Sequence, residues 1–122
     1  MRTLGIGVDV VEVARFAELL QRQPRLATRL FTEAERRDAQ GQVERLAARF
    51  AAKEATLKAF GVGLGAMKWH DMEVVRAASG APSMALHGAA GDLCAARGVR
   101  EVLLSQSHTD ATATAFVLAQ GD

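Results

Sequence analysis

The stretch from Arg49 to Gly61, RFAAKEATLKAFG, narrows the possible folds more than any other part of the chain. Alanine, leucine, lysine and glutamate favour helix, and Gly61 stands where a left-handed cap would close it. At about 100° per residue, Leu46, Phe50, Leu57 and Phe60 fall in one narrow stripe that must face a core. Lys53 lands inside that stripe, and Glu54 and Lys58 run along its edge. A helix built only for packing turns its charges to the opposite face. A carboxylate and two ammonium groups placed where the helix meets the fold suit a metal ion and a polyanion. The plainer alternative is an ordinary Glu54–Lys58 salt bridge at i,i+4, with Lys53 laying its stem over apolar surface.

A second patterned stretch opens the chain. Leu4, Ile6, Val8 and Val10 alternate with Gly5, Gly7 and Asp9, which is the period of a strand. The apolar set is expected to face the core, and the opposite face is bare backbone ending in one carboxylate. Glycine within a strand marks close approach by a ligand or another backbone. Equally, Asp9 could cap the helix that follows.

Glu12 to Arg22 reads as a helix with Val13, Phe16, Leu19 and Leu20 on its buried side and Pro24 at its exit. Arg15, Arg22 and Arg25 stand apart from that side, as a solvated face or as a dock for an acidic helix. Thr32 and Glu35 form a capping box before a helix of about two turns. Gln40-Gly41-Gln42 breaks it, and the central helix runs from about Glu44 to Phe60. Gly61-Val62-Gly63-Leu64-Gly65 follows a helix rather than a strand, so it is not a dinucleotide fingerprint; its amides could still approach a phosphate. Strands are expected at Asp71–Arg76 and Ser83–Leu86, a helix at Gly88–Arg97, and strands at Arg100–Ser107 and Ala111–Ala119 around the turn residue His108. The order β-α-α-α-β-β-α-β-β is that of one α+β domain spanning residues 1–122.

Composition closes off several classes of function. Cys94 is the only cysteine, which excludes an internal disulfide and a multi-cysteine zinc site. His70 and His87 lack metal-site spacing. A net charge of +1 is no nucleic-acid footprint, and no apolar run long enough to span a membrane occurs. The N-terminus carries no secretory pattern, so the cytoplasm is the expected compartment.

Taken together, Gly5 to Glu12, Arg49 to Gly63 and Ser105 to Thr109 closely resemble the bacterial holo-acyl-carrier-protein synthases. These are the short, single-domain members of the 4′-phosphopantetheinyl transferase superfamily. The resemblance runs from Leu4 to about Leu118. It implies an antiparallel sheet packed on a long central helix, in homotrimers with active sites between neighbouring subunits. It also implies transfer of 4′-phosphopantetheine from coenzyme A to a serine of apo acyl carrier protein, releasing adenosine 3′,5′-bisphosphate, in support of fatty acid biosynthesis. By the same resemblance, Asp9 and Glu54 would bind magnesium, and Lys58 would lie near the phosphates. Arg49, Lys53, Gly61, Gly63 and His108 would line the coenzyme A site, and Arg15, Arg22 and Arg25 would face the carrier's acidic helix. Val62 stands where the family usually has threonine.

Magnesium prefers octahedral oxygen ligation and keeps several waters, so two carboxylates and a pyrophosphate make a reasonable set. Glu54, directly or through a metal-bound water, is the candidate base for the serine proton. The alternatives are the same chemistry on a secondary-pathway carrier, and a non-catalytic module that binds a carrier or coenzyme A.

Overall fold

A computed structural model describes all residues, 1–122. In chain order the elements are β1 (Arg2–Glu12), α1 (Val13–Arg22), α2 (Leu26–Leu30), α3 (Glu33–Ala39) and α4 (Val43–Phe60). A 3₁₀ turn at Trp69–Asp71 leads into β2 (Met72–Arg76), β3 (Pro82–Leu86), α5 (Gly88–Arg97), β4 (Val99–His108) and β5 (Thr112–Gly121). The fold is α+β, as the pattern predicts, with one helix more: Leu26–Leu30 makes a single extra turn. The capping box forms, Thr32 N–H donating to Glu35 Oε1 at 2.9 Å and Glu35 N–H to Thr32 Oγ1 at 3.2 Å. Gly61 and Gly98 close α4 and α5 at φ of 64° and 72°.

β1, β5 and β4 form an antiparallel sheet in that order, and β2 pairs with β3 as a separate hairpin lying against β4. α4 packs across β1 and β5 with an alanine face: Ala48, Ala51, Ala52, Ala55 and Ala59 are all buried. Small residues on the helix permit close approach, and glycine on the strand completes it. A Cβ on Gly5 would lie 1.9 Å from the Ala59 carbonyl oxygen, and one on Gly7 would lie 1.9 Å from that of Ala55. No side chain fits there.

This inverts the facing expected for β1. The glycine and Asp9 face meets α4, while Ile6, Val8 and Val10 point away from the core and are 62%, 42% and 63% exposed. Leu103 of β4 and Phe116 of β5 are also exposed, so the outer side of the sheet is apolar. Strand pairing through Glu12 also removes Asp9 from any capping role; the residue before α1 is Glu12, and it makes no side-chain cap. No helix is long and apolar enough to cross a membrane.

Candidate active site

Asp9 leaves β1 toward α4, and Glu54 and Lys58 stand one turn apart on the flank of α4 that faces it. Lys58 Nζ reaches Asp9 Oδ1 at 3.0 Å and the Val8 carbonyl at 3.1 Å. Asp9 and Glu54 line one cleft of about 440 Å³ between β1, α1 and α4. Burial first, and the like charge of Asp9 second, push the Glu54 carboxyl above its usual range, with Lys58 opposing. Two carboxylates that repel one another beside a single ammonium form a set that a divalent cation would relieve. No third histidine, cysteine or acidic residue joins them. That fits magnesium, which takes few protein ligands and leaves positions for water and phosphate oxygens.

The far wall of the cleft is α1. Arg15 and Arg22 line it, held only by exposed contacts of 4.0 Å to Glu12 and 3.9 Å to Glu18. Pairs this exposed contribute little, so both guanidinium groups are available to a partner. Arg25 lies further on, beyond Pro24, where it precedes α2. Phe50 makes the apolar wall, stacked on Phe16 at 5.1 Å and tilted against Trp69 at 5.6 Å.

Lys53 does not line this cleft or any other. It is 0% exposed, and its Nζ donates to Glu35 Oε1 at 2.7 Å and to the Trp69 carbonyl at 2.9 Å. Glu35 Oε2 in turn accepts from the Val74 amide at 2.9 Å. The expected coenzyme A contact is therefore replaced by an internal ion pair that ties α3, α4 and β2 together. A buried ammonium is tolerated only when it is matched in this way. At Gly61 the N–H donates to the Lys58 carbonyl and the Val62 N–H donates to that of Leu57, so the amides that close the helix are engaged; in the loop that follows, the Gly63 amide is free.

Arg49 and His108 meet in a second cavity of about 270 Å³, together with Arg45, Arg76 and Gln106. Arg49 is only 1% exposed; its Nη1 donates to the Arg45 carbonyl at 3.2 Å, while Nε and Nη2 have no partner. Burial above all pulls the Arg49 guanidinium below its usual pKa, and the nearby Arg76 and Arg45 add to this against Glu35 and Asp38. A buried, half-satisfied cation among further cations is a site built for an anion. Of its residues, Arg45 was missed from sequence, although its i,i+4 spacing from Arg49 is a local signal, whereas Arg76 and Gln106 arrive from β2 and β4 and carry none.

The two cavities share no residue. Glu54 follows Arg49 by five positions, which places them roughly 140° apart around α4. One cavity opens at the β1 edge of the sheet and the other at the β4 edge.

The profile of the 4′-phosphopantetheinyl transferase superfamily matches residues 5–116. The chain belongs to this superfamily. Among its relatives, the holo-[acyl-carrier-protein] synthase of Clavibacter sepedonicus is 54% identical over 118 residues, covering 97% of this chain and 96% of the relative. That of Koribacter versatilis is 47% identical over 122 residues, covering 96% and 98%. Among superfamily members of known structure, the Neisseria meningitidis synthase superimposes with a TM-score of 0.89 at 34% identity, covering 98% and 99%. The Helicobacter pylori synthase, solved in complex with coenzyme A, gives 0.86 at 26% identity, covering 94% and 99%.

Proposed function

We propose that the chain is a holo-acyl-carrier-protein synthase, transferring 4′-phosphopantetheine from coenzyme A to a serine hydroxyl of an apo acyl carrier protein. The near full-length identity to synthases supports the reaction. One observation carries the assignment of residues: Asp9, which Lys58 contacts at 3.0 Å, and Glu54 line a cleft whose opposite wall presents Arg15 and Arg22. Charge-neutralising groups and a dock for an acidic protein thus lie side by side.

In the reaction the serine oxygen forms a bond to the β-phosphorus of coenzyme A, the bond from that phosphorus to the bridging oxygen breaks, and adenosine 3′,5′-bisphosphate leaves. Asp9 and Glu54 would hold magnesium, which when bound supplies charge neutralisation on the pyrophosphate. Lys58, anchored by Asp9 and the Val8 carbonyl, offers its remaining proton to the phosphate oxygens as charge builds on the leaving group. Glu54, which lines the cleft with Asp9, would take the serine proton. Arg15, Arg22 and Arg25 receive the acidic carrier and orient its serine, an attraction that weakens with salt.

The working form is a homotrimer. The exposed apolar outer face of the sheet supports assembly, since an apolar surface of this kind marks an interaction site. The two separated cavities support a shared site: the pyrophosphate rests at the carboxylates of one protomer, and the 3′-phosphate enters the Arg49–His108 cavity of its neighbour. Lone Cys94 and a coenzyme A substrate agree with a reducing cytoplasm. The customer is the carrier of fatty acid biosynthesis. The test incubates the protein with coenzyme A, magnesium and a panel of apo carriers, and weighs each carrier by mass spectrometry. The fatty acid carrier gains one phosphopantetheine unit fastest; no gain on any carrier rejects the reaction, and a faster secondary-pathway carrier reassigns the customer.

A further inference from the structure

The Arg49 cavity contains one group that an anion cannot satisfy. Arg45, Arg49 and Arg76 are donors only, and a phosphate dianion answers them with acceptor oxygens. Gln106, half-buried on the inner face of β4, lines the same cavity, and its Oε1 is enclosed without a partner. Arg49 Nε and Nη2 also lack partners, so the two residues stand in one cavity without bonding each other there. A buried acceptor left unmatched is costly, and a phosphate would make matters worse by adding acceptors. A ligand that answers the whole cavity brings a phosphate and, directly beside it, an O–H or N–H donor.

In coenzyme A the donor nearest the 3′-phosphate is the hydroxyl on the adjacent ribose carbon, whereas the adenine amine lies at the far end of the nucleoside. We infer that Gln106 is a specificity-determining residue that accepts a hydrogen bond from the ribose 2′-hydroxyl while Arg45, Arg49 and Arg76 hold the 3′-phosphate. The inference rests on the proposed placement of that phosphate in this cavity. A carboxamide suits the task. It presents either its oxygen or its NH₂ by a half-turn of the terminal torsion, and a hydroxyl can meet both. It also adds no negative charge beside the phosphate, as a carboxylate would. The interaction belongs to ground-state binding remote from the reacting phosphorus, so its loss should fall on KM for coenzyme A rather than on kcat.

The experiment measures calorimetric binding of adenosine 3′,5′-bisphosphate and its 2′-deoxy analogue to the intact protein and to Gln106→Met and Gln106→Glu. The unsubstituted protein should prefer the ribonucleotide by roughly threefold to tenfold, the range expected of one neutral hydrogen bond. Gln106→Met should bind both nucleotides alike, at the level of the deoxy compound. Gln106→Glu, which keeps the shape and the acceptor, should weaken both while retaining the preference; Gln106→Leu, which also removes the acceptor, should lose the preference and takes the place of the methionine variant if that misfolds, a kept preference there overturning the inference. An unchanged preference in Gln106→Met overturns the inference, as does a preference that follows replacement of adenine by hypoxanthine instead of loss of the hydroxyl. Undiminished bisphosphate affinity in Arg49→Met with Arg76→Met removes the phosphate placement itself, and the inference falls with it.

Discussion

Replacing Gly7 by alanine tests whether the bare face of β1 is what allows α4 to bring Glu54 and Lys58 up to Asp9. The added Cβ would lie 1.9 Å from the Ala55 carbonyl oxygen and 2.8 Å from the Ala59 amide nitrogen. Both are backbone atoms, so no rotamer change relieves the clash. Ordinary contact returns only if strand and helix separate by roughly 1.5 Å. Overpacking costs ~1–3 kcal/mol when side chains can yield, so a rigid backbone neighbour puts this case at about 3 kcal/mol or more. At this size that corresponds to a fall in Tm of about 12 °C. The same separation stretches the 3.0 Å Lys58–Asp9 contact and withdraws Asp9 from Glu54. Turnover should therefore drop even at temperatures where the variant is fully folded. Circular dichroism melting and carrier modification, followed on the same sample, read both effects. A Gly7→Ala protein that melts and turns over like its parent refutes the proposed close packing and its link to the site.

Three further outcomes follow from the structure. At coenzyme A concentrations below the raised KM of Arg49→Ala, Asp9→Ala and Arg49→Ala should each turn over little alone, yet mixing and reassembling the two should restore roughly a quarter of the activity, because a shared site between neighbours can draw each intact half from a different chain; no recovery would place the whole site within one protomer. Lys53→Met leaves Glu35 buried without its cation and should lower stability by ~3–5 kcal/mol, while KM for coenzyme A in the folded fraction stays unchanged. A raised KM in stable, folded Lys53→Met would return that residue to the substrate site. Glu73 is held below the usual carboxylate range, chiefly by the Thr32 hydroxyl at 2.7 Å and also by His87, against the effect of burial. A depressed native value stabilises the fold above the unfolded value of about 4.3 and loses that contribution as pH falls through the native one. Acid titration of Tm should thus be flatter in Glu73→Gln than in the parent; identical acid limbs would contradict it.

The elements of this fold are local and were readable: the capping box at Thr32 and Glu35, the glycine stop at Gly61 and the alternation of β1 all stand where pattern places them. The facing of β1 was not readable. Alternation names two faces, and hydrophobicity chose the wrong one. The helix needs room more than it needs apolar partners, and the β-branched face is left exposed. Lys53 was correctly placed inside the buried stripe, yet its partner Glu35 lies 18 positions earlier on another helix, a separation that no spacing rule connects. Asp9 with Glu54 and Lys58, and Arg49 with His108, were named from motifs that the fold brings together in two places. That those places are opposite flanks of α4, and that Arg76 and Gln106 join the second, depend on strand order and hairpin packing that only the folded chain reveals.

The most direct test of the proposed chemistry is the magnesium dependence of carrier modification by Asp9→Asn and Glu54→Gln beside the parent protein. Both substitutions keep side-chain shape and remove one negative charge from the cleft. The parent should modify its carrier with magnesium and stop when the ion is chelated, and each variant should be inactive at every magnesium concentration while its circular dichroism spectrum remains that of the parent. Full, magnesium-responsive turnover in either variant would show that the two carboxylates do not jointly hold the ion.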